Sequence, residues 1–367
     1  LFELRGPKRE RAILAGLVHW EGGGGDWTEL QALVDSAGGE VVGRVSQRRR
    51  EPDPALFIGR GKVATLKDEV RGKGADLVIF DQDLSPVQVK NLEEALGIKV
   101  LDRSGLILDI FARRARSKEA KTQVELAQLK WLLPRLTRRW THLSRQEGGM
   151  GTRGPGETQL EVDRRRVRKR IADLQGALKR IEAEREVQRK RRARLYKITL
   201  VGYTNAGKSS LLNLLARSQV EVQERLFATL DSTTRMVWLA SRKRALLTDT
   251  VGFIKRLPPH LVASFRSTLR VVREADLLIH LVDSSAQDFE ARIFTVKEML
   301  QDLGVLFKPT ILALNKIDLL TPRQIRTFKA QYPAAPLISV LKDWGMGELK
   351  EMILEHWAQR SSLNPQT

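Results

Sequence analysis

The stretch Ile198-Thr199-Leu200-Val201-Gly202-Tyr203-Thr204-Asn205-Ala206-Gly207-Lys208-Ser209 leaves a chain few choices of fold. An apolar strand runs into G-x-x-x-x-G-K-S and then into a helical pattern from Ser210 to about Ala216, with Leu211/Leu212 and Leu214/Leu215 as its apolar pairs. Glycines at 202 and 207 let the backbone curl until successive N–H groups face one phosphate. Lys208 adds a compact charge for the β- and γ-phosphates, and the Ser209 hydroxyl suits a Mg²⁺ ion. The helix that follows points its positive end at the same place. The eight residues Gly202 to Ser209 are therefore candidate phosphate-binding residues. A chance glycine turn is the alternative, and two later motifs argue against it.

Leu246-Leu247-Thr248-Asp249-Thr250-Val251-Gly252 reads as a strand ending in D-x-x-G. A carboxylate there can hold Mg²⁺ through water, and the Gly252 N–H can face the γ-phosphate. Ile311-Leu312-Ala313-Leu314-Asn315-Lys316-Ile317-Asp318 is a strand ending in N-K-x-D. A carboxylate at that point can accept both the ring N–H and the exocyclic amine of guanine, a donor pair that adenine lacks. In this order the three motifs specify a guanine-nucleotide-binding domain, with GTP and GDP as ligands and Mg²⁺ as cofactor.

The rest of that domain, residues 196–359, follows a βα rhythm. Strands are expected at 197–201, 236–240, 244–248, 277–283, 310–314 and 336–339, and helices at 208–216, 260–274, 287–302, 322–330 and 346–358. That pattern predicts an α/β, doubly wound P-loop GTPase fold whose ligand lies at the carboxyl ends of the strands. Residues 226–235 fall where a loop must sense the γ-phosphate, so Phe227, Ala228, Thr229, Leu230 and Asp231 join the candidate site. Thr229 is the choice for a second protein ligand of Mg²⁺, beside Ser209, with Thr233 and Thr234 as competitors. Ser339, Val340 and Leu341 can back the guanine through main-chain N–H groups.

Lys208, Thr229 and Gly252 are the candidate catalytic residues, positioning the transition state. Phe253 stands where many hydrolysing relatives of this fold carry a glutamine, and a phenyl ring cannot hydrogen-bond the attacking water. Slow hydrolysis by the protein alone, raised by a partner, is the expectation.

A formal charge of +20 over 367 residues points to a polyanionic partner. Roughly 25 Lys and Arg against 10 Asp and Glu lie between residues 111 and 194, so about +15 of the excess sits in that segment. A solvated helix face balanced by neighbouring acids is the bland alternative. No apolar run approaches the roughly 18 residues of a membrane span. The chain has no cysteine, so no disulfide framework exists. A basic stretch ahead of Ala12–Val18 faintly imitates a signal peptide, but no small-residue cleavage site follows, and a buried strand is preferred.

Residues 1–103 alternate strand and helix patterns, predicting a small βαβ domain with a largely parallel sheet. Its strands are expected at 12–18, 40–46, 76–81 and 98–101 and its helices at 28–37, 62–71 and 85–96. Gly59-Arg60-Gly61-Lys62 resembles an anion site, although an ordinary loop-to-helix turn explains it equally well. In residues 104–195, Leu126, Leu129, Leu133 and Leu136 recur at coiled-coil steps, as do Val167, Ile171, Leu174, Leu178 and Ile181. They predict a long antiparallel helical hairpin whose tip is the glycine-rich run Gly148 to Gly156. A flexible tip with Arg153, flanked by Trp140, His142 and Arg145, can enter a narrow RNA-lined cavity. Arg145, Arg153, Arg164, Arg165, Arg166, Arg168, Lys169 and Arg170 are the candidate RNA contacts. A dimer seam and a passive turn remain open for the same features. Residues 360–367 read as a tail.

These motifs, with Leu84-Ser85-Pro86, the run Leu101 to Phe111, Gly151-Thr152-Arg153-Gly154-Pro155-Gly156-Glu157-Thr158 and Phe227-Ala228-Thr229-Leu230-Asp231, resemble the HflX family of ribosome-associated GTPases from about Arg11 to about Trp357. The resemblance implies a GTPase that binds the large ribosomal subunit and its ribosomal RNA and splits stalled or idle ribosomes under stress; a monomeric, cytoplasmic protein is the separate expectation. GTP hydrolysis would then reset the cycle. It also implies Thr229 as the Mg²⁺ ligand in the first switch and an approach of residues 149–156 to the peptidyl-transferase region. Ser339-Val340 departs from the usual Ser-Ala. The extra C-terminal domain of some relatives is expected to be absent, and a start at Leu1 suggests a processed or trimmed chain. Two rival readings stand beside this one. The first is a GTP-timed ribosomal-RNA chaperone or large-subunit assembly factor; the second is an ATP-dependent RNA-remodelling activity in residues 1–103.

Overall fold

The computed structural model describes residues 9–18, 27–136, 159–191, 195–217, 226–227, 229–240, 243–255 and 266–363. They divide into two compact units, one of residues 1–113 and 121–179, the other of 114–120 and 180–367.

In the first unit, β1 (Arg11–Val18), β2 (Glu40–Arg48), β3 (Leu77–Phe80) and β4 (Lys99–Asp102) form a wholly parallel sheet in the order β2-β1-β3-β4. The two middle strands are near-continuous apolar runs, as strands covered on both faces must be, and residues 12–15 of β1 are fully buried. The crossovers are α1 (Thr28–Ala37), α2 (Arg60–Lys73) and α3 (Pro86–Leu96). The third opens on a capping box, with Ser85 accepting from the Gln88 N–H and the Gln88 side chain accepting from the Ser85 N–H. All three helices stop at a glycine with positive φ, Gly38, Gly74 and Gly97.

A fourth helix, α4 (Arg103–Arg114), follows β4 without a loop and is a departure from the sequence pattern. Its first six residues are all buried, and its more exposed polar positions, Asp109 and Arg113, come only in its second half. After it come α5 (Lys118–Leu132) and α6 (Gln159–Arg191). Arg170 of α6 is paired with Glu125 of α5, and Arg164 Nη2 donates to Leu136 O just beyond α5. The later residue of α5 meets the earlier residue of α6, so the two helices run antiparallel. Leu126 and Leu174 are buried in their seam positions. Residues 137–158, with the glycine-rich tip, lie outside the described residues, as do residues 19–26.

The second unit has a five-stranded sheet in the order β6-β7-β5-β8-β9, from β5 (Tyr196–Gly202), β6 (Thr233–Ala240), β7 (Lys243–Asp249), β8 (Leu277–Asp283) and β9 (Thr310–Asn315). Only the β6–β7 pairing is antiparallel. The chain places β7 on one side of β5 and β8 on the other, so the crevice of the doubly wound sheet opens at the carboxyl end of β5. Its helices are α7 (Lys208–Ala216), α8 (Arg266–Glu274), α9 (Phe289–Asp302), α10 (Pro322–Gln331) and α11 (Met346–Leu363). The Tyr196 and Trp357 rings stack at 4.7 Å and bind α11 to the start of β5.

The strand expected at 336–339 shrinks to single bridges, Leu337 to Leu314 and Ser339 to Trp344. The run starts at Pro336, which has no N–H to give, and the chain turns away once Ile338 has bonded to Leu314 and Ile317.

Candidate functional site

The phosphate-binding loop joins β5 to α7. Gly202 has φ 154° and Gly207 φ 94°. A Cβ on Gly202 would collide with the carbonyl oxygen of Leu281 in β8, and one on Gly207 with the Asn315 side-chain amide. The glycine spacing therefore reflects two close approaches of backbone to neighbouring strands. Lys208 is buried, its Nζ donating to the carbonyls of Gly202 at 3.1 Å and Tyr203 at 2.8 Å. Burial pulls its ammonium down to about 8, against the upward pull of Asp249.

Three oxygen-bearing side chains from three elements meet beside that lysine. Ser209 Oγ, on α7, donates to Asp249 Oδ2 at 2.6 Å and lies 2.7 Å from Thr229 Oγ1. Asp249 is fully buried at the end of β7, and burial raises its carboxyl while Lys208, Ser209 and Thr229 oppose the rise. Its Oδ1 has no hydrogen-bond partner. An all-oxygen set with one unsatisfied buried carboxylate oxygen fits a hard divalent cation such as Mg²⁺. Of the competing threonines, Thr234 Oγ1 lies 2.9 Å from Thr248 Oγ1, and Thr233 is paired across the ladder with Asp249; Thr229 is the one that reaches the Ser209 hydroxyl.

The D-x-x-G turn presses on the phosphate-binding loop. A Cβ on Gly252 would stand 2.7 Å from Thr204 Cα. The Thr204 N–H donates to Phe253 O at 2.8 Å, and the Phe253 N–H to Gly202 O at 3.1 Å. Thr250 Oγ1 holds the turn to β5 through Leu200 O at 2.7 Å. The Phe253 ring is buried among the apolar side chains beside β8. It presents no hydrogen-bonding atom to the cleft.

Asn315, Lys316, Ile317 and Asp318 divide the work of the third motif. The Asn315 side chain donates to Ala206 O at 2.9 Å and accepts from the Val340 N–H at 3.1 Å, tying the phosphate loop to the last motif. Lys316 has φ 66° and its Nζ bonds Asp283 Oδ2 at 2.7 Å. Asp318 Oδ1 accepts from Ser339 Oγ at 2.5 Å, and that hydroxyl accepts in turn from the Lys342 N–H. The half-buried Asp318 is thus held in one orientation by the Ser339 hydroxyl. The main-chain N–H groups of Ser339 and Val340, expected to back the guanine, bond Trp344 O and Asn315 Oδ1; Val340 adds its side chain to the core, and Leu341 is exposed.

Asp231 is separated from the cluster around Asp249. Its carboxylate accepts from the N–H groups of Arg116 and Ser117, each at 3.1 Å, and from the Ser117 hydroxyl. Those partners lie outside the three motifs, and only long-range geometry reveals them. Asp283, which holds Lys316, was also missed; its place at the carboxyl end of a parallel strand was the available signal.

Of the candidate RNA contacts, Arg165, Arg166, Arg168, Lys169 and Arg170 are exposed on α6, whereas Arg164 is half-buried. The bond to Glu125 raises the Arg170 guanidinium above its ordinary range and offsets part of its charge. Arg145, Arg153 and Ala228 lie outside the described residues.

Three family models match in succession. Residues 25–112 match the N-terminal region of a GTP-binding GTPase, 114–192 its middle region, and 197–316 a 50S ribosome-binding GTPase. GTPase HflX of Caldanaerobacter subterraneus subsp. tengcongensis is 49% identical over 314 residues, covering 85% of this chain and 73% of that protein. GTPase HflX of Escherichia coli K12 is 48% identical, covering 80% and 70%. Among solved structures, the complex of SsGBP with GDP is 28% identical with a TM-score of 0.53, covering 96% of this chain and 99% of that one.

Proposed function

Because the chain belongs to the HflX family of GTPases, we propose that it binds the large ribosomal subunit and dissociates stalled or idle ribosomes, with GTP hydrolysis resetting the cycle. The observation that carries this is one chain holding both a GTPase unit of the 50S ribosome-binding kind and a helix with an arginine-rich exposed face. Such a face contacts phosphates, which positions a protein on RNA without reading its sequence.

Within the GTPase unit, the backbone N–H groups from Gly207 to Ser209 and the Lys208 ammonium hold the triphosphate, while the Thr204 N–H stays with Phe253 O. Asp318 selects guanine, aided by Ser339. Ser209 and Thr229 would ligate Mg²⁺ directly and Asp249 through water; the cation supplies charge for the phosphate oxygens. Gly252 brings its N–H to the γ-phosphate because the tight contact with Thr204 excludes any side chain there. Phe253 leaves the attacking water without an orienting amide, so turnover is slow alone and rises on the ribosome. The protein acts in the cytoplasm, and among the described residues no helix is long and apolar enough to cross a membrane.

Light scattering from intact ribosomes tests the reading. Dissociation with a non-hydrolysable GTP analogue is expected. Binding to free large subunits with no loss of scattering would instead support a GTP-timed assembly factor.

A further inference from the structure

Thr229 is two residues from a second anchor. Leu230 is buried between them. Beyond it, both carboxylate oxygens of Asp231 are engaged, Oδ2 by the N–H groups of Arg116 and Ser117 and Oδ1 by the Ser117 hydroxyl. Ser117 is also the N-cap of α5, its Oγ accepting from the Ala120 N–H at 3.0 Å. An aspartate at a helix start gains from orphan N–H donors and from the positive end of the helix together. Residues 114–120 and 229–231 belong to the same compact unit, although in sequence 114–120 lead into the helical hairpin. The unit boundary falls inside α5, after Ala120.

A continuous path of contacts follows: Asp249 to Ser209, Ser209 to Thr229, two residues of chain to Asp231, Asp231 to Arg116 and Ser117, and Ser117, as N-cap, to Ala120 in the first turn of α5. A chain of two residues spans at most about 7 Å, so fixing Asp231 confines Thr229 to the neighbourhood of Ser209. We propose that Asp231 and Ser117 form a clasp by which the start of the hairpin sets the position of Thr229, and so sets the preference for GTP over GDP and the rate of hydrolysis. Ser117 is then a positioning residue for a reaction whose catalytic residues lie far downstream in the chain. A partner that displaces α5 would act on GTP turnover through this one carboxylate. The inference rests on Thr229 being the first-switch ligand of the nucleotide-bound cation.

The test measures GTP-analogue and GDP dissociation, and single-turnover hydrolysis, in the full chain. Asp231→Asn loses an ionised acceptor facing three donors, and Ser117→Ala loses the hydroxyl. Each is expected to lower the GTP-over-GDP preference and the hydrolysis rate by about tenfold, the cost of one charge-assisted hydrogen bond. GDP affinity should stay unchanged, Ser117→Thr should restore the wild-type behaviour, and the double variant should be no worse than the more affected single one. A purely stabilising role would lower the melting temperature, leave the preference intact and give additive effects; that result overturns the clasp. Equal losses of GTP and GDP affinity overturn it as well. Thr229→Ala separates the two levels. If it too leaves the GTP-over-GDP preference unchanged, the reading of the switch itself fails. If Thr229→Ala abolishes the preference while the clasp variants do not, only the clasp fails.

Discussion

Two buried aspartates, one in each unit, end parallel strands and have opposite fates. Asp102, at the end of β4, is fully buried, and burial raises its carboxyl. Its Oδ1 takes the Gly105 N–H at 2.8 Å; its Oδ2 takes Arg135 Nη2 at 2.7 Å and the Leu84 N–H at 3.4 Å. Arg135 itself lies 4.1 Å over the Trp131 ring. Asp249, at the end of β7, is equally buried and also raised, yet one of its oxygens has no partner, and the neighbouring Lys208 spends its charge on two neutral carbonyls. In the first, both carboxylate oxygens are satisfied and the charge is answered by Arg135, although Arg135 Nε and Trp131 Nε1 beside it have no hydrogen-bond partner. The second leaves Asp249 Oδ1 unmatched, which fits the proposed magnesium triphosphate. Similar α/β layouts thus hold similar residues for different ends, and what separates them is whether the carboxylate meets a cationic partner and has both oxygens satisfied.

That contrast can be broken experimentally. Lys208→Ala should cut GTP turnover roughly a thousandfold by removing a preorganised charge from the transition state, while the melting temperature of the nucleotide-free protein holds or rises. Steady-state kinetics and thermal melts check both halves. Asp102→Ala should do the reverse. It strands the Arg135 guanidinium and costs about 3 kcal/mol of stability in denaturant titrations, with GTP affinity of the folded protein preserved. A loss of GTP affinity matching the loss of stability would mean that the two constellations are not independent.

Asp318→Asn should move preference from guanine toward xanthine nucleotides by about a hundredfold, since an amide cannot accept two hydrogen bonds where the carboxylate did. Competition binding reads this directly, and unchanged GTP affinity would remove Asp318 as the base reader. The smallest effect is on pH. Lys208 in the folded, free protein is lowered from its ordinary 10.5 to about 8. Between those values the unfolded chain holds a proton that the folded one has released, so this group's cost to stability is complete below about 8 and fades as pH rises through the window. Triphosphate affinity should move the other way, falling roughly threefold from pH 7.5 to 8.5 with proton uptake on binding. Calorimetry in buffers of different ionisation enthalpy measures that uptake, and a flat profile would place the lysine's titration elsewhere.

Much of the GTPase unit is legible in the sequence because its demands are local. Gly202, Gly207 and Gly252 each stand where a side chain would strike a neighbour, and Lys208, Ser209, Asp249 and Asp318 follow at fixed offsets along single strand-to-helix turns. The five formed strands of that sheet are equally plain, since each is an apolar run bounded by turn residues. What escapes is of two kinds. The helix α4 is buried through its first six residues, and its polar positions Asp109 and Arg113 come only in its second half. The Asp231 to Ser117 contact joins residues 114 positions apart, and nothing in either neighbourhood announces the other. Thr229 lay between these cases. Its residue type and loop were readable, but only the 2.7 Å approach to Ser209 distinguishes it from Thr233 and Thr234.

The most direct test of the central claim is cosedimentation of the purified protein with large ribosomal subunits at fixed salt, in three states: nucleotide-free, GDP-bound and loaded with a non-hydrolysable GTP analogue. The account predicts strong attachment in the analogue-bound state and weak attachment in the other two, with Lys208→Ala trapped at the weak level. Equal attachment in all three would contradict it, leaving a basic RNA-binding protein whose GTPase serves some other end.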